Sequence, residues 1–137
     1  MPEEIRVPIN ADPDLVAARQ AGRDVARELG FSTTDQTLIA TAISEIARNI
    51  VQHARSGEVI VTPVVERGRK GVVIVANDIG PGIPDVDLAL REGYSTSASG
   101  LGLGLPGARR LVEEFHLTSE VGRGTTVVMK KWVGGSG

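Results

Sequence analysis

Cysteine is absent from the 137 residues, which excludes a disulfide-stapled scaffold and any zinc or iron–sulfur site built on thiolates. Two histidines are too few for a histidine metal cluster. Aromatic residues make up only 3% of the chain, and 15 Lys plus Arg are balanced by 17 Asp plus Glu for a formal net charge of −2. A nucleic-acid surface needs a basic stripe or stacking rings, so none is expected. No apolar run approaches the roughly 18 residues of a membrane span. The beginning, Met1-Pro2-Glu3-Glu4, lacks a basic segment leading into an apolar stretch. From these shortages a soluble, cytoplasmic protein is expected, with neither membrane nor nucleic acid as a partner. What remains is 41% hydrophobic and 23% charged, enough for one core, and the length leaves no room for a second folded domain. A single domain over residues 1–133 is expected, followed by the low-complexity tail Gly134-Gly135-Ser136-Gly137. Glycine is the one residue in excess, 17 in all and unevenly placed.

The hydrophobic period changes along the chain. Ile5, Val7 and Ile9 alternate with polar residues and suit a short first strand. Asp12-Pro13 reads as N-cap and first helical residue, and Leu15, Val16, Ala18, Val25, Ala26 and Leu29 outline a helix that stops at Gly30. A second helix starts at Thr33, with Gln36 completing a capping box, and runs to about Ala54. Beyond Gly57 the pattern favours strands: Glu58–Val65 and Val72–Ala76 are rich in Val and Ile and flank the charged turn Glu66–Gly71. About thirty residues dense in Gly, Pro and Ser follow, Asn77–Gly107, with at most a short helix near Asp85–Glu92. Loops of that length in a compact domain are usually lids or binding loops. A helix over Pro106–Phe115, a strand over His116–Glu120, a turn at Gly122–Gly124 and a strand over Thr125–Val133 complete the chain. This order implies an α+β fold, a two-layer sandwich with helices over one face of a mostly antiparallel sheet.

Four segments have the composition of a binding site. On the second helix, Ile39, Ala42, Ile43, Ile46, Ala47 and Ile50 form the core stripe, while Glu45 and Asn49 stack one turn apart at its edge. A carboxylate and an amide so placed suit a general base beside a magnesium ligand, since Mg²⁺ takes hard oxygen donors. The same spacing also fits a solvated Glu and a surface Asn. In Asp78-Ile79-Gly80-Pro81-Gly82, directly after a strand, the Asp can accept a hydrogen bond from an exocyclic amine and the glycines allow close backbone approach to a planar ligand. It can equally be a plain turn. Gly100-Leu101-Gly102-Leu103-Gly104-Leu105, after Ser95–Ser99 and at the start of a helix, offers backbone N–H groups to a phosphate chain. Its G-x-G-x-x-G follows no strand and belongs to no βαβ unit, and no G-x-x-x-x-G-K-[ST] is present, so dinucleotide-fold and P-loop readings are rejected. Gly122-Arg123-Gly124-Thr125 is a tight turn into the last strand with a Thr hydroxyl available, and as a hairpin it needs no function.

In this order, Glu45…Asn49, Asp78-x-Gly80-x-Gly82, Gly100-x-Gly102-x-Gly104 and Gly124-Thr125 resemble the four conserved boxes of the Bergerat-fold ATP-binding superfamily of gyrase, Hsp90, histidine kinases and MutL. Val16–Gln20, Glu28–Phe31, Glu45–Asn49, Gly80–Asp85 and Gly93–Ser97 are similar to the stand-alone switch kinases of the RsbT type found in the stressosome. The resemblance implies ATP and Mg²⁺ as cofactors, Glu45 as catalytic base and Asn49 as the Mg²⁺ ligand. It implies that Asp78, helped by Thr125, holds the adenine amine, with Gly80 and Gly82 shaping the adenine pocket. It further implies that residues 85–99 form the ATP lid and that Gly100, Leu101, Gly102, Leu103 and Gly104 wrap the phosphates. The partners implied are STAS-domain scaffold or antagonist proteins like RsbS and RsbR, phosphorylated on Ser, and a downstream phosphatase or other output protein. Two other readings stand beside this one: an anti-sigma factor kinase of the RsbW and SpoIIAB type that sequesters a sigma factor, and a nucleotide-dependent adaptor without transfer activity.

Overall fold

Val7 and Ile9 point one way from the first strand and Arg6 and Pro8 the other, and that alternation fixes which face of the sheet is covered. The computed structural model describes residues 2–54, 56–80 and 104–134. They form β1 (Ile5–Ile9), α1 (Asp12–Leu29), α2 (Thr33–His53), β2 (Gly57–Glu66), β3 (Arg69–Asp78), α3 (Gly104–Leu111), β4 (Glu114–Glu120) and β5 (Gly124–Trp132). The strands make one sheet in the order β1-β2-β3-β5-β4, with every neighbouring pair antiparallel. The expected α+β sandwich is present, and its sheet is antiparallel throughout the described strands.

Register builds the core. Val7, Val59, Ala76 and Val127 lie in one row across four strands, and Ile5, Val61, Ile74 and Met129 in the next. The helices close over these rows: Ile39, Ile43, Ile46 and Ile50 of α2 and Ala18, Val25, Ala26 and Leu29 of α1 are buried against them. The expected stripe on α2 is buried at all six positions. On α1 the stripe turns slightly, leaving Val16 54% exposed and burying Ala21 and Gly22 instead. A methyl group on Gly22 would collide with Ile43 Cδ1, so glycine is what lets α1 and α2 approach so closely.

Several boundaries shift from the sequence expectation. The N-cap of α1 is Ala11, not Asp12; the reach-back comes from Asp14, whose carboxylate accepts from the Asn10 and Ala11 amides at 2.8 and 3.1 Å. The N-cap of α2 is Ser32, whose hydroxyl accepts from Asp35 N at 3.1 Å, while the Gln36 amide donates to Phe31 O at 2.9 Å. Ser and Thr adjoin there, and Ser32 is the one with extended backbone. The β2–β3 turn contracts to Arg67-Gly68, both at positive φ as a two-residue hairpin requires. α3 ends at Leu111 instead of Phe115 because Glu113 N donates to Lys130 O and the following residues pair with β5. The last strand runs Gly124–Trp132, one residue earlier than expected.

Candidate nucleotide site

Glu45 occupies the inner edge of α2 and is 9% exposed; Asn49, one turn later, is half-buried. A solvated Glu is therefore not what the helix presents. A carboxylate taken out of water needs a charged or hydrogen-bonding partner. Arg48 provides one, its Nη1 lying 2.9 Å from Glu45 Oε1 across one helical turn. The sequence reading gives Arg48 no role, although its i,i+3 spacing from Glu45 is the signal that places the two side by side.

Asp78 is the last residue of β3 and lies in register with Gly57, on the face that α2 covers. Its Oδ1 accepts two backbone amides, Gly80 N at 2.9 Å and Thr125 N at 3.1 Å. The first closes an Asx-type turn that carries the chain out of the sheet, and the second ties β3 to the start of β5. With that oxygen anchored twice, the carboxylate has a fixed direction.

Three glycines around Asp78 leave space only for backbone. At Gly57 a Cβ would lie 2.9 Å from Ile50 Cγ2 and 3.1 Å from the Asp78 Cβ. At Gly80 it would lie 2.7 Å from the Ala54 Cβ, against the end of α2. At Gly124, with φ +125°, it would run into the Asp78 carbonyl. The last turns of α2 and the end of β3 are thereby brought together. Thr125 is buried and its hydroxyl pairs with Ser119 Oγ at 2.9 Å; Ser119 also donates to Gly124 O at 3.2 Å. Ser119 is a further contributor that the sequence reading does not name, and its position directly opposite Thr125 in the β4–β5 register accounts for it.

Among the expected site residues, Glu45 and Asn49 thus share one helix edge, and Asp78, Gly80 and Thr125 share one hydrogen-bonded corner. Gly104 opens α3, which packs along α2 through buried Leu105 and Ala108. Gly82, Gly100, Leu101, Gly102 and Leu103 lie outside the described residues, as do the expected lid over 85–99 and the short helix near 85–92. A cleft of about 420 Å³ also borders Asp78, but it opens on the other side of the sheet, beside Arg6, Pro8, Glu58 and Asn77. It is separate from the α2 face that carries Glu45 and Asn49.

The donors suit a magnesium nucleotide. No group of three or more His, Asp or Glu side chains gathers into a metal cage among the described residues. Mg²⁺ is commonly held without one, by one or two protein oxygens together with waters and substrate phosphates, and the Asn49 amide oxygen is a donor of that kind. The Asp78 carboxylate, fixed through one oxygen by two backbone amides, is an acceptor that suits the amine of a flat base.

The chain belongs to the histidine kinase-, DNA gyrase B- and HSP90-like ATPase family, whose sequence profile matches residues 34–133. Within that class it is 51% identical over 133 residues to the serine/threonine-protein kinase RsbT of Bacillus subtilis (strain 168), covering 97% of this chain and 99% of that one. It is also 33% identical over 110 residues to the anti-sigma F factor of Geobacillus stearothermophilus, covering 76% of this chain and 74% of the relative. The fold matches a crystal structure of the RsbU and RsbW domains of a Mycobacterium tuberculosis protein with a TM-score of 0.66 at 20% identity. That match covers 95% of this chain and 32% of the longer one. The resemblance to switch kinases of the RsbT type, and with it the reading as a protein serine/threonine kinase that uses ATP, is borne out. No described helix is long and apolar enough to cross a membrane.

Proposed function

We propose that this chain is the ATP-dependent protein-serine kinase of a cytoplasmic partner-switching pathway. It passes the γ-phosphate of ATP to a serine of a STAS-domain protein of the RsbS or RsbR kind. Phosphorylation then moves it between that scaffold and a downstream phosphatase or other output protein. The observation that carries this reading is the near end-to-end likeness to a serine/threonine-protein kinase in a chain that sets a buried Glu45 and a half-buried Asn49 on one helix edge.

In this reading the Asp78 carboxylate accepts a hydrogen bond from the purine amine, and the Thr125 and Gly80 amides keep it aimed. Gly80 and Gly82 shape the backbone that borders the adenine. Asn49 holds Mg²⁺, which when bound neutralises charge on the phosphates. The backbone amides of Gly100, Leu101, Gly102, Leu103 and Gly104 wrap the phosphate chain. Glu45 accepts the proton of the substrate serine hydroxyl as it attacks. Phosphoryl transfer is largely positioning and charge neutralisation, with the base adding on the order of 10²–10⁴ in rate.

Incubation with Mg·ATP and candidate STAS-domain proteins, followed by mass-spectrometric mapping, should find one phosphoserine on the partner. Nucleotide binding with no phosphorylated STAS protein would contradict the reading. The likeness to an anti-sigma F factor keeps a second reading in view, in which the chain holds a sigma factor and phosphorylates its antagonist. Co-purification separates the two: a STAS scaffold is expected in the first case and a sigma factor in the second.

A further inference from the structure

We infer that Arg48 is a positioning residue for the proposed base: it acts on phosphoryl transfer through Glu45 and not through the nucleotide. This deepens the kinase reading and rests on it. Glu45 is 9% exposed, and Arg48 Nη1 meets its Oε1 at 2.9 Å, whereas the Arg48 side chain is itself 32% exposed. The pair is asymmetric, since the acid is enclosed and the guanidinium reaches it from the wet side of the helix. A carboxylate on a straight chain has several rotamers, and one withdrawn from water needs a charged or hydrogen-bonding partner. The guanidinium meets both needs. Its planar, charged fork holds the carboxylate in one direction and compensates its burial. The i,i+3 separation on a helix whose Ile43, Ile46 and Ile50 are locked in the core makes the arrangement rigid. The site then has two functions on adjacent residues one turn beyond the base: Asn49 toward the metal, and Arg48 behind Glu45.

A double-mutant cycle tests this, read as single-turnover transfer from radiolabelled ATP to an RsbS-type STAS protein that the wild-type chain phosphorylates. Arg48→Met is expected to lower the transfer rate at least tenfold while leaving Mg·ATP affinity within about twofold of wild type. Arg48→Lys, which keeps the charge without the fork, should recover part of the loss. In a Glu45→Gln background the same Arg48 substitutions should change the residual rate by less than twofold, because the group they act through is gone. Equal losses in both backgrounds, an unchanged or faster Arg48→Met enzyme, or a loss confined to nucleotide affinity would each overturn the inference. Where Arg48→Met does not fold, the Arg48→Lys arm alone carries the cycle. Wild-type transfer by Glu45→Gln itself is a different outcome, one that removes the base assignment on which the inference stands.

Discussion

Asp78 serves structure with one carboxylate oxygen: Oδ1 closes the Gly80 turn and anchors Thr125. Asp78→Asn can preserve both contacts, because the amide oxygen still accepts, but it replaces the other oxygen with a donor. The fold should therefore survive the change while recognition of a purine amine suffers. Glu45→Gln divides the functions in the opposite sense, with nucleotide affinity retained within about twofold and transfer reduced on the order of 10²–10⁴; equilibrium dialysis and a phosphotransfer time course measure the two. Gly124→Ala is a structural counterpart. Its φ of +125° and the collision with the Asp78 carbonyl should cost about 1–3 kcal/mol in urea unfolding. Placement was legible where local spacing suffices, as with Asp78 at the end of β3 and Glu45 and Asn49 on one edge of α2. Arg48 and Ser119 were not, because their importance comes from what lies one turn below or one strand across.

The helices were legible from their periodicity and less so from their ends. Thr33 with Gln36 resembles a capping box, yet Ser32 holds the extended N-cap backbone and accepts from Asp35 N. Ser32→Ala should thus destabilise by about 1 kcal/mol, and Thr33→Ala by much less, in matched thermal or urea melts. Equal effects would place the cap one residue later. Packing between elements was also hidden: Gly22 looks like a weak spot in α1 until Ile43 is seen against it. Gly22→Val should cost about 1–3 kcal/mol through overpacking of the α1–α2 contact. Glu113–Phe115 continue a helical pattern in sequence, but pairing with β5 prevails over local propensity and starts β4 at Glu114. Such outcomes depend on partners distant in the chain, which a local window cannot contain.

At the scale of the whole molecule, an antiparallel sheet layered with α1 and α2 provides a rigid wall, and the proposed site lies where the end of β3 meets the final turns of α2. Both sides of that seam belong to the folded state only, so a ligand bound there must stabilise the fold by mass action. Mg·ATP at a hundred times its Kd should add about 2.7 kcal/mol to unfolding, with most of the gain lost when a chelator removes the metal. The most direct test is calorimetric titration of Mg·ATP into the wild-type chain and into Asp78→Asn. One saturable site in the wild type and an affinity at least tenfold weaker in the variant are predicted. No heat of binding in the wild type, or equal affinity in the two proteins, would contradict a nucleotide held at the Asp78 corner.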